Sequence, residues 1–147
     1  MEGTSFNNLL VGFVAGAIAL VTVHELIALC LADAGHISRT PWSLETSELT
    51  GLPQIVTDVV WGGVWGMVVA AILGNVPQGS MTVRGAILGV VGPALIGVLV
   101  LVPLVRGETL FLNANLDLIW PVLVLGAGFG AATAWLYGFF TAGGRLP

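Results

Sequence analysis

The sequence contains no lysine and little charge of either sign. Its cations are four arginines, and only 8% of its 147 residues are charged, about a third of the charged fraction of a soluble domain. A formal net charge of −4 without any basic cluster argues against nucleic acid or anionic lipid as the main partner. The single cysteine, Cys30, excludes an intrachain disulfide and a cysteine-based metal site. We interpret Cys30 as a small buried hydrophobic residue.

Long apolar runs dominate the chain instead. Hydrophobic residues make up 56% of the sequence, and the mean hydropathy is +1.01. About 20 consecutive apolar residues cross the hydrocarbon core of a membrane as a helix. The first run lacks a positive n-region and is longer than a typical signal-peptide core, so we expect it to stay in the mature protein. We predict an all-α, polytopic membrane protein with one domain, residues 1–147, and four spans at about 6–32, 55–74, 85–105 and 118–140.

Four spans place both chain termini on one side of the membrane, here called the terminal side; the opposite side is called the loop side. Pro77 and Gly79 predict a turn on the terminal side. The arginines are divided equally, with Arg84 and Arg145 on the terminal side and Arg39 and Arg106 on the loop side. Arginine and lysine in short loops favour the cytoplasm, and the free amino terminus adds one positive charge to the terminal side. We therefore expect both termini to be cytoplasmic.

Each predicted span carries a pair of glycines four residues apart. Residues with this spacing share one helix face, and small ones let two helix backbones approach closely. We therefore expect a tightly packed, glycine-rich four-helix bundle. The second and fourth spans also match at an offset of 64 residues and the first and third at 73, which suggests a duplicated two-helix hairpin. The glycine pairs are Gly12 and Gly16, Gly62 and Gly66, Gly85 and Gly89, and Gly126 and Gly130.

Three titratable residues are predicted inside the membrane. His24 and Glu25 lie past the middle of the first span, and Asp58 lies before the middle of the second. The helical rise places all three about 8 Å from the midplane, toward the loop side. Ionisable groups at this depth are candidates for function. Three interpretations stay open: a structural hydrogen bond that fixes the helix register, a proton or cation site, and ligation of a haem or chlorophyll by His24, for which no second ligand is present.

The angular position of Glu25 suggests a partner. At 100° per residue, Glu25 lies about 160° from the face that carries Gly12 and Gly16. If those glycines face the interior of the bundle, Glu25 meets lipid unless another chain covers it. We therefore expect a homo-oligomer, or an assembly with other membrane subunits.

Tryptophans form the other distinctive local feature. Trp61 and Trp65 flank Gly62 and Gly63, and the two rings are placed either to stack a flat ligand, such as a quinone, or to pack against a neighbouring helix. Trp42 is expected to anchor the first loop at the lipid headgroups. The sequence has no nucleophile with a base, no glycine-rich phosphate loop and no paired Cys or His metal spacing. We expect neither an enzyme nor a bound cofactor or metal.

Two segments carry a family resemblance: Thr22-Val23-His24-Glu25, and the run of residues 61–66, Trp-Gly-Gly-Val-Trp-Gly. Together they resemble a family of small, uncharacterised four-helix proteins of the bacterial inner membrane. The resemblance covers mainly the first two spans and implies that cellular location, but no activity. The family has Gln after the histidine, so the resemblance does not imply that an acid is essential at Glu25.

These observations lead to two functional hypotheses. The first is a non-enzymatic membrane bundle that acts as a homo-oligomer or as an accessory subunit of a larger membrane assembly. The alternative is a small proton- or cation-linked transporter or channel that uses His24, Glu25 and Asp58.

Overall fold

The computed structural model describes residues 5–74 and 80–143. The predicted turn at Pro77 and Gly79, and Arg145, lie outside these ranges. The described chain is helical, and four of its helices are long and apolar enough to cross a membrane, as predicted. These helices are α1 (Phe6–Asp33), α2 (Gln54–Leu73), α3 (Met81–Arg106) and α4 (Leu116–Thr141).

Polar residues mark where three of the helices begin. The Ser5 hydroxyl accepts a hydrogen bond from the Asn8 amide, and the Ser80 hydroxyl accepts one from Val83. The Asn115 side chain accepts a hydrogen bond from Asp117 at the start of α4. Each contact gives an amide of the first helical turn a side-chain acceptor, and the Asn8 amide also donates to the Ser5 carbonyl. α3 begins at Met81 rather than near residue 85 because Ser80 supplies such a cap.

In the first hairpin, α1 and α2 run antiparallel and meet at their glycines. A Cβ atom added at Gly12 would collide with the backbone of Gly66, and one added at Gly16 would collide with Gly62 and Gly66. The absence of side chains therefore sets the distance between these helices.

The second hairpin repeats this arrangement. A Cβ atom added at Gly85 would collide with Gly130, and one added at Gly89 would collide with Gly126 and Gly130. The contacts of Gly85 and Gly89 with α4 are thus equivalent to those of Gly12 and Gly16 with α2. We call these two contact regions the first and second glycine crossings.

The hairpins join mainly through α1 and α4. Ala19 and Leu20 of α1 form a buried cluster with Phe129 of α4, and Ala15 lies with Tyr137 in a second cluster. On the opposite side of the bundle, α2 and α3 make fewer contacts. There the rings of the tryptophans of α2 reach across to glycines of α3.

Two helices contain π-helical segments, which the sequence analysis did not predict. They cover Leu20–His24 of α1 and Val90–Leu101 of α3. A π-helical turn bonds residue i to i+5 and so leaves backbone carbonyls differently placed from those of an α-helix. In α3 the segment contains Pro93, which has no amide to donate, so the changed bonding pattern accommodates the proline.

The loop of residues 34–53 folds back over the loop side of the hairpin. The amides of Gln54 and Ile55 donate to the carbonyls of Glu45 and Ser43, which caps the start of α2. The second loop on the loop side, which connects α3 to α4, contains a short 3-10 turn, Leu110–Ala114, with four consecutive non-glycine residues, 111–114, at positive φ. A left-handed conformation costs about 1–2 kcal/mol per residue, so this turn is a strained connection.

Candidate functional site

A single arginine connects the three residues predicted as an intramembrane cluster. Arg39, in the first loop, places Nη1 2.8 Å from Oε1 of Glu25 and Nη2 2.5 Å from Oδ2 of Asp58. His24 Nδ1 lies 3.1 Å from the same Oε1 of Glu25. The structure therefore brings His24, Glu25 and Asp58 together, with a guanidinium between the two carboxylates. We call these four residues the Arg39 cluster.

Further hydrogen bonds hold the two acids in place. The backbone amide of Trp42 donates to Oε2 of Glu25 over 2.7 Å. Gln54, one helical turn before Asp58, donates from Nε2 to Oδ1 over 2.6 Å. All four carboxylate oxygens thus have at least one donor, as buried charges require.

The loop covers Glu25, which corrects the expectation that another chain must do so. The Glu25 side chain is 0% exposed because Arg39 and Trp42 lie against it. The Trp42 indole Nε1 also donates to the Val21 carbonyl, in the π-helical segment, over 2.8 Å. Trp42 is thus tied to α1 through both its backbone and its ring. Glu25 therefore needs no second chain to cover it, and the oligomer stays a prediction.

The π-helical segment explains why the angular argument was wrong. Glu25 directly follows Leu20–His24, and a π-helical turn takes more residues than an α-helical one. A uniform 100° per residue therefore misplaces every residue after Leu20 relative to the glycines of α1.

A cavity of about 300 Å³ lies between the four helices, next to the Arg39 cluster. Its volume is at the lower end of the range for small-molecule sites. The wall is largely apolar, and the polar groups of His24, Arg39 and Asp58 are its charged part. The remaining lining residues are Leu20, Ile37, Trp61, Trp65, Pro93, Ala94, Val98, Val122, Leu125, Gly126 and Phe129.

A wider polar groove of about 790 Å³ lies on the loop side. It shares Arg39, Asp58, Trp61 and Val98 with the cavity. Loop residues such as Thr40, and Arg106 at the end of α3, form other parts of its wall. The ion pair between Arg39 and Asp58 therefore stands where the polar groove meets the more apolar cavity.

The two tryptophans of α2 do not form a stack for a flat ligand between them. The ring centroids of Trp61 and Trp65 are 5.9 Å apart, and the ring planes are nearly perpendicular, at 84°. Both lie against α3, where they come close to Gly92 and Gly97. Trp65 Nε1 is buried and has no hydrogen-bond partner among the described residues. The rings close the side of the cavity between α2 and α3.

The glycines predicted to pack the helices form the contacts between helices rather than the Arg39 cluster. The eight residues Gly12, Gly16, Gly62, Gly66, Gly85, Gly89, Gly126 and Gly130 are all buried. They form the two glycine crossings, and Gly126 alone also lines the cavity. Cys30, expected to be buried, is instead exposed on α1.

Sequence reasoning missed Arg39 and the cavity. A signal for Arg39 was present, because two acids inside a membrane need a cation and the first loop has one arginine. The cavity depends on helix separation, which no local pattern reports. Within residues 5–74 and 80–143 no three His, Cys, Asp or Glu side chains are grouped to hold a metal ion, and Arg39 occupies the position between the two acids.

The arrangement can bind a small molecule between an apolar wall and a charged end. It can also pass a proton between His24 Nδ1 and Glu25 Oε1, which are within hydrogen-bond distance.

Comparison with protein-family models, with curated proteins and with solved structures finds no match for this chain.

Proposed function

We propose that this chain is a non-enzymatic membrane protein with four spans, which binds one small amphipathic molecule in the cavity between its helices. The cavity is the observation that carries the proposal. It combines an apolar wall with a charged end formed by His24, Arg39 and Asp58, and a few placed polar groups in an apolar pocket are typical of small-molecule sites.

The glycine crossings favour binding over conduction. Gly12 and Gly16 meet the backbone of α2, and Gly85 and Gly89 meet that of α4, on the terminal side of the cavity. Helices packed this closely leave no room for a path between the two members of each hairpin. Between the hairpins, the buried cluster of Ala15, Ala70 and Tyr137 packs on the terminal side of the cavity. Access from the loop side, through the polar groove, suits a site that a molecule enters and leaves on one side.

Filling the cavity tests this proposal. Val122 lines the cavity, so Val122→Phe reduces its volume. Val124→Phe is the matched control, because Val124 lies on the same helix and is 42% exposed. We expect a small molecule to co-purify in equal amounts with the wild type and with Val124→Phe, and much less with Val122→Phe, when the gently solubilised proteins are extracted and analysed by mass spectrometry. Equal recovery from all three proteins contradicts the proposal.

We keep the assembly hypothesis as part of the proposal: the bundle acts as a homo-oligomer or as an accessory subunit. Many apolar side chains face outward, among them Leu10, Val14 and Ile18 on α1, and either lipid or another chain can cover them. Native mass spectrometry of the solubilised protein tests this part. A discrete multiple of the chain mass, or stoichiometric co-purification of other chains, supports it, and a clean monomer contradicts it.

The groove favours a second candidate, proton- or cation-linked transport. The groove leads to Arg39 and Asp58, where displacement of the arginine would expose two carboxylates to an incoming cation. In proteoliposomes this candidate predicts that Glu25→Gln abolishes proton or cation flux while the protein stays folded. Glu108→Gln, in the exposed second loop, is the control. Unchanged flux in Glu25→Gln contradicts transport.

We also propose the bacterial inner membrane as the location, with both termini cytoplasmic. The resemblance of residues 22–25 and 61–66 supports the membrane, and the positive amino terminus supports the orientation. Single cysteines introduced at Ser5 and at Thr50 of a Cys30→Ala variant test it, because an impermeant maleimide should label only Thr50→Cys in intact cells.

A further inference from the structure

The polar atoms that remain available in the cavity indicate what kind of molecule fits it. Each carboxylate oxygen of Glu25 and Asp58 already accepts a hydrogen bond from Arg39, His24, Trp42 or Gln54. The available groups beside them are mainly donors. Arg39 has five N–H groups. Its contacts with the two acids are made by Nη1 and Nη2, so other N–H groups of the guanidinium remain available.

Trp65 supplies the second donor. Its ring lines the cavity, and its Nε1 is buried with no acceptor among the described residues. A buried donor without an acceptor is unfavourable, so this N–H gains most from an oxygen that a ligand brings. The ring packs against Gly92 and Gly97 of α3, whose lack of side chains leaves room for it at the wall of the cavity.

The charge of the site limits the ligand further. Arg39 contributes one positive charge and the two acids contribute two negative charges, and His24 adds a positive charge only when protonated. The Arg39 cluster is therefore neutral or negative. A carboxylate ligand would be repelled by Glu25 and Asp58, and an ammonium ligand would face the guanidinium and the indole N–H, which both donate.

We propose that the cavity binds a neutral amphiphile whose head is a carbonyl-type oxygen, and that this oxygen accepts a hydrogen bond from Trp65 Nε1. The tail lies along the apolar wall formed by Val98, Val122 and Phe129. This inference rests on the proposed function and specifies its ligand class.

Probes with the same ten-carbon chain test the head group. We would measure the binding of radiolabelled decan-2-one, decane, decylamine and decanoate by equilibrium dialysis against the protein in nanodiscs, with empty nanodiscs as the blank. The ketone should bind most tightly. If decylamine or decanoate binds more tightly than the ketone, the ligand class is wrong but the cavity still binds. If none of the four exceeds the blank, the proposed function itself fails.

A variant pair tests the role of Trp65. Trp65→Phe removes the N–H and keeps an aromatic ring, so it should weaken ketone binding about three- to tenfold and change decane binding little. Trp61→Phe is the matched control, since Trp61 also lines the cavity but is 37% exposed. Equal losses for ketone and decane, or equal losses in the two variants, overturn the assignment to Trp65. If Trp65→Phe does not fold, the wild-type comparison of ketone with decane still decides, because equal affinities for the two would exclude a hydrogen bond to the head.

Discussion

Glu25 illustrates how a charged residue is accommodated inside a helix that is apolar enough to cross a membrane. An acid at the centre of such a helix costs at least about 2.5 kcal/mol when it faces lipid. Here the loop carries Arg39 and Trp42 back onto α1, so the acid has three partners: the Arg39 counter-ion, the Trp42 amide and its own neighbour His24. These loop residues thus contribute to the stability of the bundle.

Removal of Arg39 should destabilise the protein strongly. Arg39→Gln leaves Glu25 buried without its counter-ion, and breaking a buried ion pair costs about 3–5 kcal/mol. We expect a loss at the low end of that range, because the arginine side chain is 30% exposed. Thermal unfolding in detergent measures the effect. Arg106→Gln removes an exposed arginine at the end of α3 and should change stability by less than about 0.5 kcal/mol. Equal losses in the two variants would contradict a structural role for the pair.

At the scale of the helices, backbone contact sets the geometry of the bundle. In α4, Gly130 faces the backbone of Gly85 and Gly89, whereas Gly128 faces the flexible end of the Ile27 side chain. The two positions are two residues apart on one helix, but they differ in their tolerance for a side chain. A glycine therefore sets the distance between two helices only where it faces the backbone of the other helix.

Alanine substitutions in α4 should separate these two kinds of glycine. Gly130→Ala places a methyl group against backbone atoms that cannot move independently, and we expect a destabilisation of about 1–3 kcal/mol. Gly128→Ala meets only the end of the Ile27 side chain, and the higher helix propensity of alanine, up to about 1 kcal/mol, offsets that contact. Chemical denaturation in mixed micelles measures both variants. A Gly128→Ala variant as unstable as Gly130→Ala would contradict this distinction.

The helices were predictable, but their internal irregularities were not. Apolar runs predict helices because only helices satisfy their backbone groups within one span. The same runs give no signal for π-helical turns: in Val90–Leu101 nearly every residue is apolar, so a change of period leaves the pattern unchanged. The position of Glu25 relative to the glycines was wrong for this reason. Arg39 was missed because its partners are 14 and 19 residues away, by the differences 39−25 and 58−39.

At the scale of the whole molecule, the cavity lies where the two hairpins face each other. Residues 64 positions apart in α2 and α4 line it in pairs: Asp58 and Val122, Trp61 and Leu125, and Trp65 and Phe129. Trp65 reaches toward Gly92 of α3, and Phe129 packs against Leu20 of α1. These pairs support the hypothesis of a duplicated hairpin. The two hairpins differ most at Asp58: in the first hairpin this acid forms an ion pair with Arg39, whereas the equivalent residue of the second hairpin is the apolar Val122.

A duplicated hairpin should behave as two energetic units. Gly16→Ala and Gly89→Ala each place a methyl group against equivalent backbone atoms, those of Gly62 and Gly66 in one crossing and those of Gly126 and Gly130 in the other. Because the two crossings share no partners, we expect the free-energy losses to be similar and to add within about 0.5 kcal/mol in the double variant.

Within one crossing the result should differ. A Cβ atom at Gly16 would meet the Gly66 backbone, and one at Gly66 would meet Gly16. The helices that separate for the first methyl group have already made space for the second. We therefore expect the Gly16→Ala and Gly66→Ala pair to lose about 0.5–3 kcal/mol less than the sum of the single losses, measured by the same denaturation. If Gly16→Ala and Gly89→Ala coupled as strongly as this pair, the bundle would respond as one unit, and the two hairpins would not be independent repeats.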